Sequence, residues 1–142
     1  MFKKTIFFTE KRTIAEAKRE IELQQLASKY DFCPKITESK FSETCCEITM
    51  EKIDCMCLAD MYGDQPKHLP PHIWPQIHTI IKTLYEEAGI EYVDITPYNF
   101  IEHNNKIYII DFGDAYYKGT KPRHWFHTQF LDDPTCWNPD FA

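Results

Sequence analysis

Two segments of the chain carry apolar residues at the three- to four-residue spacing of an amphipathic helix. The first covers residues 14–29 and follows Thr13, which forms a capping-box signature with Glu16. The second covers residues 71–88, with a proline in its first turn and Gly89 as its C-terminal stop. The pattern therefore predicts two packed helices, and the core face of the second consists of Ile73, Ile77, Ile81, Leu84 and Ala88.

The apolar stripe of the first helix contains one charged residue. Ala17, Glu20, Leu23 and Ala27 fall on the same face at helical spacing. Burying a carboxylate among apolar residues is costly unless the carboxylate has a charged partner. Glu20 is therefore either a satisfied residue at the rim of the core or a carboxylate that faces a cation.

Short segments rich in β-branched and aromatic residues predict strands around these helices. One covers residues 3–8, and two more, at residues 35–41 and 44–53, form an antiparallel pair with a turn near Ser42 and Glu43. The prediction for this part of the chain is a small antiparallel sheet with the first helix beside it.

Three more short strands are predicted after the second helix, at residues 90–93, 100–103 and 106–110. Asn104 and Asn105 separate the last two. Asparagine tolerates the positive φ that a tight turn requires, so the pair indicates a β-hairpin.

The remaining segments show less regular patterns. Residues 55–63 predict a short helix that stops at Gly63, followed by a proline-containing linker. Residues 118–142 are rich in aromatic residues and proline, and we expect them to wrap over the surface with one short helix at residues 125–131. Together these elements predict an α+β fold.

Composition narrows the class of protein. The 142 residues suit a single domain, and the 43% that are hydrophobic are enough for a core. The net charge of −6 argues against nucleic-acid binding, which uses clustered Lys and Arg. No apolar run is long enough for a membrane span or a signal peptide, so we expect a cytoplasmic protein that binds no membrane.

Six cysteines and two neighbouring histidines raise the question of a metal site. Cys45, Cys46, Cys55 and Cys57 could hold zinc, although they lack paired C-x-x-C motifs. The alternative, which we favour, is reduced and partly buried thiols. For His124 and His127 we favour packing or surface roles over metal binding. The remaining cysteines are Cys33 and Cys136, and the sequence assigns no chemical role to them.

Three polar residues surround the predicted hairpin. Asp94 and Asn99 flank a loop that Pro97 stiffens, and Asp111 ends the second strand, followed by Gly113, which would allow a turn. A hairpin returns the chain beside its start, so these side chains can face one cleft. Magnesium prefers oxygen ligands, so Asp111 and Asn99 would hold it and Asp94 would orient a hydroxyl nucleophile. Each residue alone is a common turn residue, and only the combination indicates a phosphate site.

The same segments resemble the protein-kinase family. "YVDITPYN" resembles the kinase catalytic loop, with Tyr92 and Val93 in place of its histidine and arginine, and "IIDFG" resembles the metal-binding turn. "EAKREIELQQLASKYDFCPKI" is similar to the regulatory helix and the strand after it, with Glu20 as the match to the helix glutamate. "KKTI" resembles the lysine-bearing strand, with Lys4 the better match and Lys3 the alternative.

The resemblance also covers the hinge. "EITMEKI" resembles the hinge strand, which implies Met50 as gatekeeper and Glu51 to Ile53 along the edge of adenine. Order and spacing match from residue 3 to residue 117, and the likeness is to compact atypical kinases of the RIO and Bud type. Short kinase-like chains are also known from large DNA viruses.

The resemblance implies one kinase-like domain with a regulatory-type helix and a catalytic-loop hairpin. Residues 1–53 would form a reduced N-lobe, 54–117 a reduced C-lobe, and 118–142 a wrapping tail. The sequence departs from the kinase pattern in two places: no glycine-rich loop precedes Lys4, and few residues follow Gly113. We therefore expect modest ATP affinity and no regulation by an activation loop.

The implied function is an ATP- and Mg²⁺-dependent phosphotransferase like a Ser/Thr kinase, and the alternative is a pseudokinase that binds without turnover. The acceptor would be a protein or a small molecule, and a protein partner would cover the open nucleotide side. The implied residues are Asp94, Lys4 and Glu20 for catalysis, Lys4, Met50, Glu51 and Ile53 for ATP, and Asn99 and Asp111 for Mg²⁺.

Overall fold

The computed structural model describes residues 1–132 and 134–141. It contains four α-helices and seven β-strands within this part of the chain, and the predicted α+β class is confirmed. In chain order the elements are β1 (Phe2–Phe7), α1 (Ile14–Ala27), β2 (Ile36–Phe41), β3 (Cys45–Met50), α2 (Leu58–Tyr62), α3 (Ile73–Glu86), β4 (Ile90–Glu91), β5 (Phe100–His103), β6 (Lys106–Ile109), β7 (Tyr116–Tyr117) and α4 (Trp125–Phe130).

The first three strands form one antiparallel sheet, with β3 between β1 and β2. Helix α1 packs on this sheet, and Thr13 caps it as predicted, because the Thr13 Oγ1 accepts a hydrogen bond from the Glu16 backbone at 3.2 Å. The helix ends at Ala27, two residues earlier than predicted, because Ser28–Tyr30 continue as a 3-10 helix. The small core between them contains Ile6, Ala17, Ile21, Cys46, Ile48 and Met50.

Helix α3 is the centre of a second, larger core. It begins at Ile73, two residues later than predicted, because the Ile73 backbone N–H bonds to the Pro70 carbonyl and residues 71 and 72 form a turn. Its predicted core face is confirmed: Ile73, Ile77, Ile81 and Leu84 are fully buried and Ala88 packs against them.

The predicted hairpin is confirmed as β5 and β6. Asn104 and Asn105 both have positive φ, 52° and 64°, as this two-residue turn requires. The strand predicted at residues 90–93 is shorter, because β4 pairs only with β7 and both are two residues long. We did not predict β7, since a two-residue strand has no alternating pattern to recognise.

Residues 118–132 and 134–141 lie against the larger core. Phe126 and Phe130 of α4 are buried, and Trp137 contacts the ring of Trp74 with 4.6 Å between centroids. Among the helices that the structure describes, none combines the length and apolar character that a membrane span needs. The lobe boundaries proposed at residues 53 and 117 stay a prediction.

Candidate functional site

Lys4 lies in the middle of β1 and faces the interior. Successive side chains of a strand point to opposite sides, so Lys4 lies on the same side as the buried Ile6. Lys3 lies on the other side and is exposed, with its Nζ 3.5 Å from the Glu47 Oε1. The Lys4 Nζ donates a hydrogen bond to the Glu20 Oε2 at 2.6 Å. Of the two candidate lysines, only Lys4 contacts Glu20 in the described structure.

Glu20 faces cations, which decides between its two interpretations. Its side chain is 1% exposed, and its second carboxylate oxygen lies 3.5 Å from the Arg12 Nη1. A buried carboxylate is stable only with such partners. Lys4 and Arg12 therefore explain why a glutamate lies on the apolar stripe of α1.

Lys4 also reaches the turn after β6. The Asp111 Oδ1 accepts hydrogen bonds from the Lys4 Nζ at 3.3 Å and from the Gly113 backbone at 3.0 Å. Burial alone would lower the pKa of Lys4, but the nearby carboxylates of Asp111 and Glu20 outweigh it and the pKa is raised. Lys4 is therefore a fixed positive charge between two carboxylates.

Gly113 lies in a turn after β6, as predicted, and the Ala115 backbone N–H bonds to the Phe112 carbonyl across it at 3.2 Å. The residue with left-handed backbone in this turn is Asp111, at φ 63°, and Gly113 needs no positive φ. A Cβ at this position would lie 2.8 Å from the Arg12 Nη1 and 3.1 Å from the Asp111 Oδ1, so a larger residue would displace these side-chain ends. The space that it leaves lets a guanidinium group approach the backbone.

Two arginines contact this turn that the sequence had not singled out. The Gly113 carbonyl accepts hydrogen bonds from the Arg12 Nη1 at 3.0 Å and from the Arg19 Nη2 at 3.4 Å. Arg12 therefore joins Glu20 of α1 to the turn that follows β6. Arg12 lies outside the quoted motifs, and the motif that contains Arg19 assigns it no role, so only the fold could reveal these contacts.

The loop between β4 and β5 carries Asp94 and Asn99. The Asn99 side chain is buried, and its Nδ2 donates a hydrogen bond to the Asp94 backbone carbonyl at 2.9 Å. Burial raises the pKa of the Asp94 carboxyl, the Asn99 amide lowers it, and the negative charges of Asp114 and Asp111 raise it further. The net effect is a raised pKa for Asp94.

Tyr92 connects this loop to the Asp111 turn. Its hydroxyl donates hydrogen bonds to the carbonyls of Ile110 at 2.7 Å and Asp111 at 2.9 Å, and its ring packs edge-on against Phe112. The residue that replaces the kinase histidine thus fixes the distance between the two loops. Nothing in the sequence predicted that the Tyr92 hydroxyl would contact the Asp111 turn.

A cavity of about 410 Å³ lies between the first sheet and the β5–β6 hairpin. All residues predicted to bind ATP line it, and so does Asp111. A second cleft, of about 510 Å³, lies beyond residues 51–54, and its described lining includes neither Lys4 nor Asp111. The first cavity is lined by Phe2, Lys4, Gln24, Pro34, Met50, Glu51, Lys52, Ile53, Cys55, Ile101, Ile110 and Asp111.

This geometry agrees with a comparison to known families. A family model described as the RIO domain matches residues 2–129. The chain belongs to the RIO domain family. A search of curated proteins found no match. The predicted atypical, kinase-like fold is therefore confirmed, and RIO kinases as a family generally use ATP and Mg²⁺.

Asn99 and Asp111 of this RIO domain carry oxygen atoms of the kind that magnesium prefers. Asn99 has its Nδ2 engaged with the backbone, which leaves its carbonyl oxygen as the donor, and Asp111 is partly exposed. The described residues form no group of three or more His, Cys, Asp or Glu side chains suited to a metal. Magnesium needs no such group, since water and phosphate oxygens complete its coordination.

The cysteines of the RIO domain do not converge on one metal. The Cys46 side chain is buried in the small core, whereas the side chain of Cys45, its neighbour in β3, points to the opposite side of the sheet. The Cys55 Sγ lies 3.1 Å from the His103 Nδ1, and the Cys57 Sγ donates to the Asp60 carboxylate at 3.3 Å. The zinc alternative therefore has no support in the described part of the chain.

Proposed function

We propose that this RIO domain is an ATP- and Mg²⁺-dependent phosphotransferase that acts on a serine or threonine hydroxyl. The observation that carries the proposal is the position of the Lys4 Nζ at the cavity, bonded to both Glu20 and Asp111. A lysine held between a helix carboxylate and a metal-type aspartate suits the binding of nucleotide phosphates.

ATP would lie in the 410 Å³ cavity. Met50 and Ile53 offer apolar contacts for the base, and Lys4 offers a positive charge for the phosphates. Asn99 and Asp111 would hold the magnesium ion, which when bound neutralises charge on the phosphate oxygens. Lys4, Met50, Ile53 and Asp111 line this cavity, whereas Asn99 is assigned on its carbonyl oxygen, which its bond to the Asp94 carbonyl leaves available.

Asp94 would orient the acceptor hydroxyl. The hydroxyl oxygen attacks the γ-phosphorus and forms a new P–O bond, while the bond from the γ-phosphorus to the bridging oxygen breaks and ADP leaves. The hydroxyl proton passes to the Asp94 carboxylate. A raised pKa favours this role, because a carboxylate that binds protons more readily is a better base at neutral pH.

Nucleotide binding is tested by thermal melting with and without ATP and Mg²⁺. Ligand at about 100 times its dissociation constant stabilises the folded state by ~2.7 kcal/mol, which for a chain of this size raises Tm by roughly 5–10 °C. Asp111→Asn should reduce the shift obtained with Mg²⁺. The absence of any shift at millimolar nucleotide would contradict ATP binding by this chain.

Phosphate transfer is tested with γ-labelled ATP and a panel of protein and small-molecule acceptors, the chain itself included. Asp94→Asn should lower the rate by about 100-fold or more, because general-base catalysis contributes about that much. Asp64→Asn, at an exposed position, is the matched control and should keep the wild-type rate. Equal rates for wild type and Asp94→Asn would refute the role of Asp94.

The pseudokinase alternative gives a different pair of results. In that case ATP raises Tm, but no acceptor receives label from the wild-type protein. The identity of the acceptor and a protein partner on the nucleotide side stay predictions.

A further inference from the structure

Asn138 makes two hydrogen bonds to the loop that carries Asp94. Its backbone N–H donates to the Ile95 carbonyl at 2.9 Å, and its side-chain Nδ2 donates to the Val93 carbonyl at 2.7 Å. These two carbonyls belong to the residues on either side of Asp94. Asn138 lies beyond the residues 2–129 that match the RIO domain.

The polar atoms of Asn138 are fully paired. Its Oδ1 accepts a hydrogen bond from the Asp140 backbone at 3.0 Å, and its carbonyl accepts one from the Phe141 backbone at 3.2 Å. The residue is 0% exposed, so every lost partner would leave a buried polar group unpaired. Only a side-chain amide supplies both the donor and the acceptor at this position.

The bonds from Asn138 complete a network on three consecutive carbonyls. The Val93 carbonyl also accepts from the Ile95 backbone at 2.8 Å, and the Asp94 carbonyl accepts from the Thr96 backbone at 3.0 Å and from Asn99. These other bonds are local to the loop. Asn138 ties the loop to a segment 45 residues away in sequence.

The segment around Asn138 is itself anchored. Trp137 is buried against Trp74 of α3 and stacks near Phe100 of β5, with ring centroids 4.6 Å and 6.4 Å apart. The Asp140 carboxylate accepts a hydrogen bond from the Trp125 Nε1 at 3.0 Å. Because several elements hold this segment, it can restrain the loop that it contacts.

We infer that Asn138 is a positioning residue that sets the orientation of Asp94 through the carbonyls of Val93 and Ile95. This inference rests on the proposed function, in which Asp94 orients the acceptor. Asn138→Ala should lower kcat by about 10- to 100-fold, since a displacement of about 1 Å is enough for such a loss. KM for ATP should change by less than about twofold, because Lys4 and the rest of the ATP cavity belong to other elements.

The matched control is Asp140→Ala. It removes the contacts of this segment with His124 and Trp125 but keeps both bonds from Asn138 to the loop. With both variants assayed well below their own Tm, Asp140→Ala should keep kcat within about twofold of wild type. A wild-type kcat in folded Asn138→Ala, or equal losses in both variants, would overturn the inference.

Asn138→Asp provides a second test if the alanine variant does not fold. A protonated carboxyl can donate to the Val93 carbonyl, whereas an ionised one cannot, and burial favours the protonated form. The ratio of its kcat to that of wild type should therefore rise as pH falls, with Tm recorded at each pH. A ratio that does not change with pH would overturn the inference.

Hydrogen exchange separates this inference from the proposed function. The amides of Ile95 and Thr96 should exchange faster in Asn138→Ala than in Asp140→Ala, because only the first variant frees the loop. If the wild type transferred no phosphate, the proposed function would fail. The exchange rates would then decide whether Asn138 orders the loop, and equal rates in the two variants would refute it.

Discussion

The two halves of the candidate site are held by different interactions. The ionic half consists of Lys4, Arg12, Glu20 and Asp111, where the contacts join opposite charges. The neutral half consists of the Asp94 loop and the segments that hold it, where backbone carbonyls accept hydrogen bonds from side-chain amides. The 410 Å³ cavity is lined by Lys4 and Asp111 of the ionic half, whereas its described lining includes neither Asp94 nor Asn99.

This difference suits the chemistry proposed for each half. A phosphate-binding lysine must stay charged, and the pKa of Lys4 is raised. A proton acceptor works best when its pKa lies near the operating pH. Asp94 has no cation bonded to it among the described residues, and burial raises its pKa. Under the proposed function, the carboxylates beside Lys4 would keep the phosphate-binding cation charged, and the raised pKa of Asp94 would suit a proton acceptor.

The largest predicted effect is a loss of stability in acid that originates in α4, whose Trp125 contacts the segment that holds the Asp94 loop. His127 of α4 is fully buried, and burial together with Arg123 and His124 lowers its pKa to about 4, whereas an exposed histidine has about 6.5. Between pH 6.5 and pH 4, His127 is protonated in the unfolded chain but stays neutral in the folded chain. Stability present above pH 6.5 is therefore lost as pH falls toward 4, by about 2–3 kcal/mol.

Urea unfolding at pH 7.5 and pH 4.5 measures this loss. His127→Phe should lose less stability than wild type between the two pH values, by about 2–3 kcal/mol. The exposed His68 offers the control His68→Gln, which should behave like wild type. If the pH dependence of His127→Phe equals that of wild type, His127 is not the group that couples stability to pH.

The next effect concerns the ionic half. Glu20→Gln removes the charge between Lys4 and Arg12 and should lower the free energy of unfolding by about 2 kcal/mol. This is less than for a fully buried pair, because both cations are partly exposed. Glu22→Gln, on the exposed side of the same helix, should cost less than about 0.5 kcal/mol. Equal costs in urea unfolding would show that Glu20 contributes no more than a surface carboxylate.

A smaller effect tests the contact between Arg12 and Gly113. Gly113→Ala should displace the guanidinium group and cost about 1 kcal/mol, the value of one hydrogen bond. In the background of Arg12→Ala the same change should cost less, because the clash is gone. A double-mutant cycle by urea unfolding measures the difference, and strictly additive costs would contradict a direct clash.

The smallest effect concerns the pH dependence of activity. Asp114 is exposed, and its negative charge helps to raise the pKa of Asp94. Asp114→Asn should therefore move the acid limb of the kcat profile to lower pH, because Asp94 then loses its proton more easily. The control Asp64→Asn should leave the limb unchanged. Movement to higher pH would show that Asp114 acts on activity in another way.

Local signals in the sequence were sufficient for most of the fold. The cap of α1 by Thr13, the left-handed Asn104 and Asn105, and the apolar period of α3 all depend on residues a few positions apart. Such short-range patterns persist whatever the rest of the chain does. The C-terminal end of α1 and the N-terminal end of α3 each differ by two residues from the prediction, because helix ends depend on the turns next to them.

Residue types also indicated the candidates in the site but not their contacts. The stripe of α1 singled out Glu20 as unusual, and only the structure showed that Lys4 rather than Lys3 meets it. The turn at "DFG" was evident from the sequence, but the left-handed backbone of Asp111 within it was not. A sequence pattern can indicate which residues belong to a site. Their contacts and backbone angles depend on how the chain packs.

The sequence by itself determined the helices, the hairpin and the polar residues that could meet in a cleft. Only the tertiary structure decided the pairing of β7 with β4, the contact of Arg12 with the Gly113 carbonyl, and the bonds from Asn138 to the Asp94 loop. The physical reason is the same in each case. A single hydrogen bond between distant segments does not require residues at a regular spacing. It therefore produces no pattern in the sequence and becomes visible only in the folded structure.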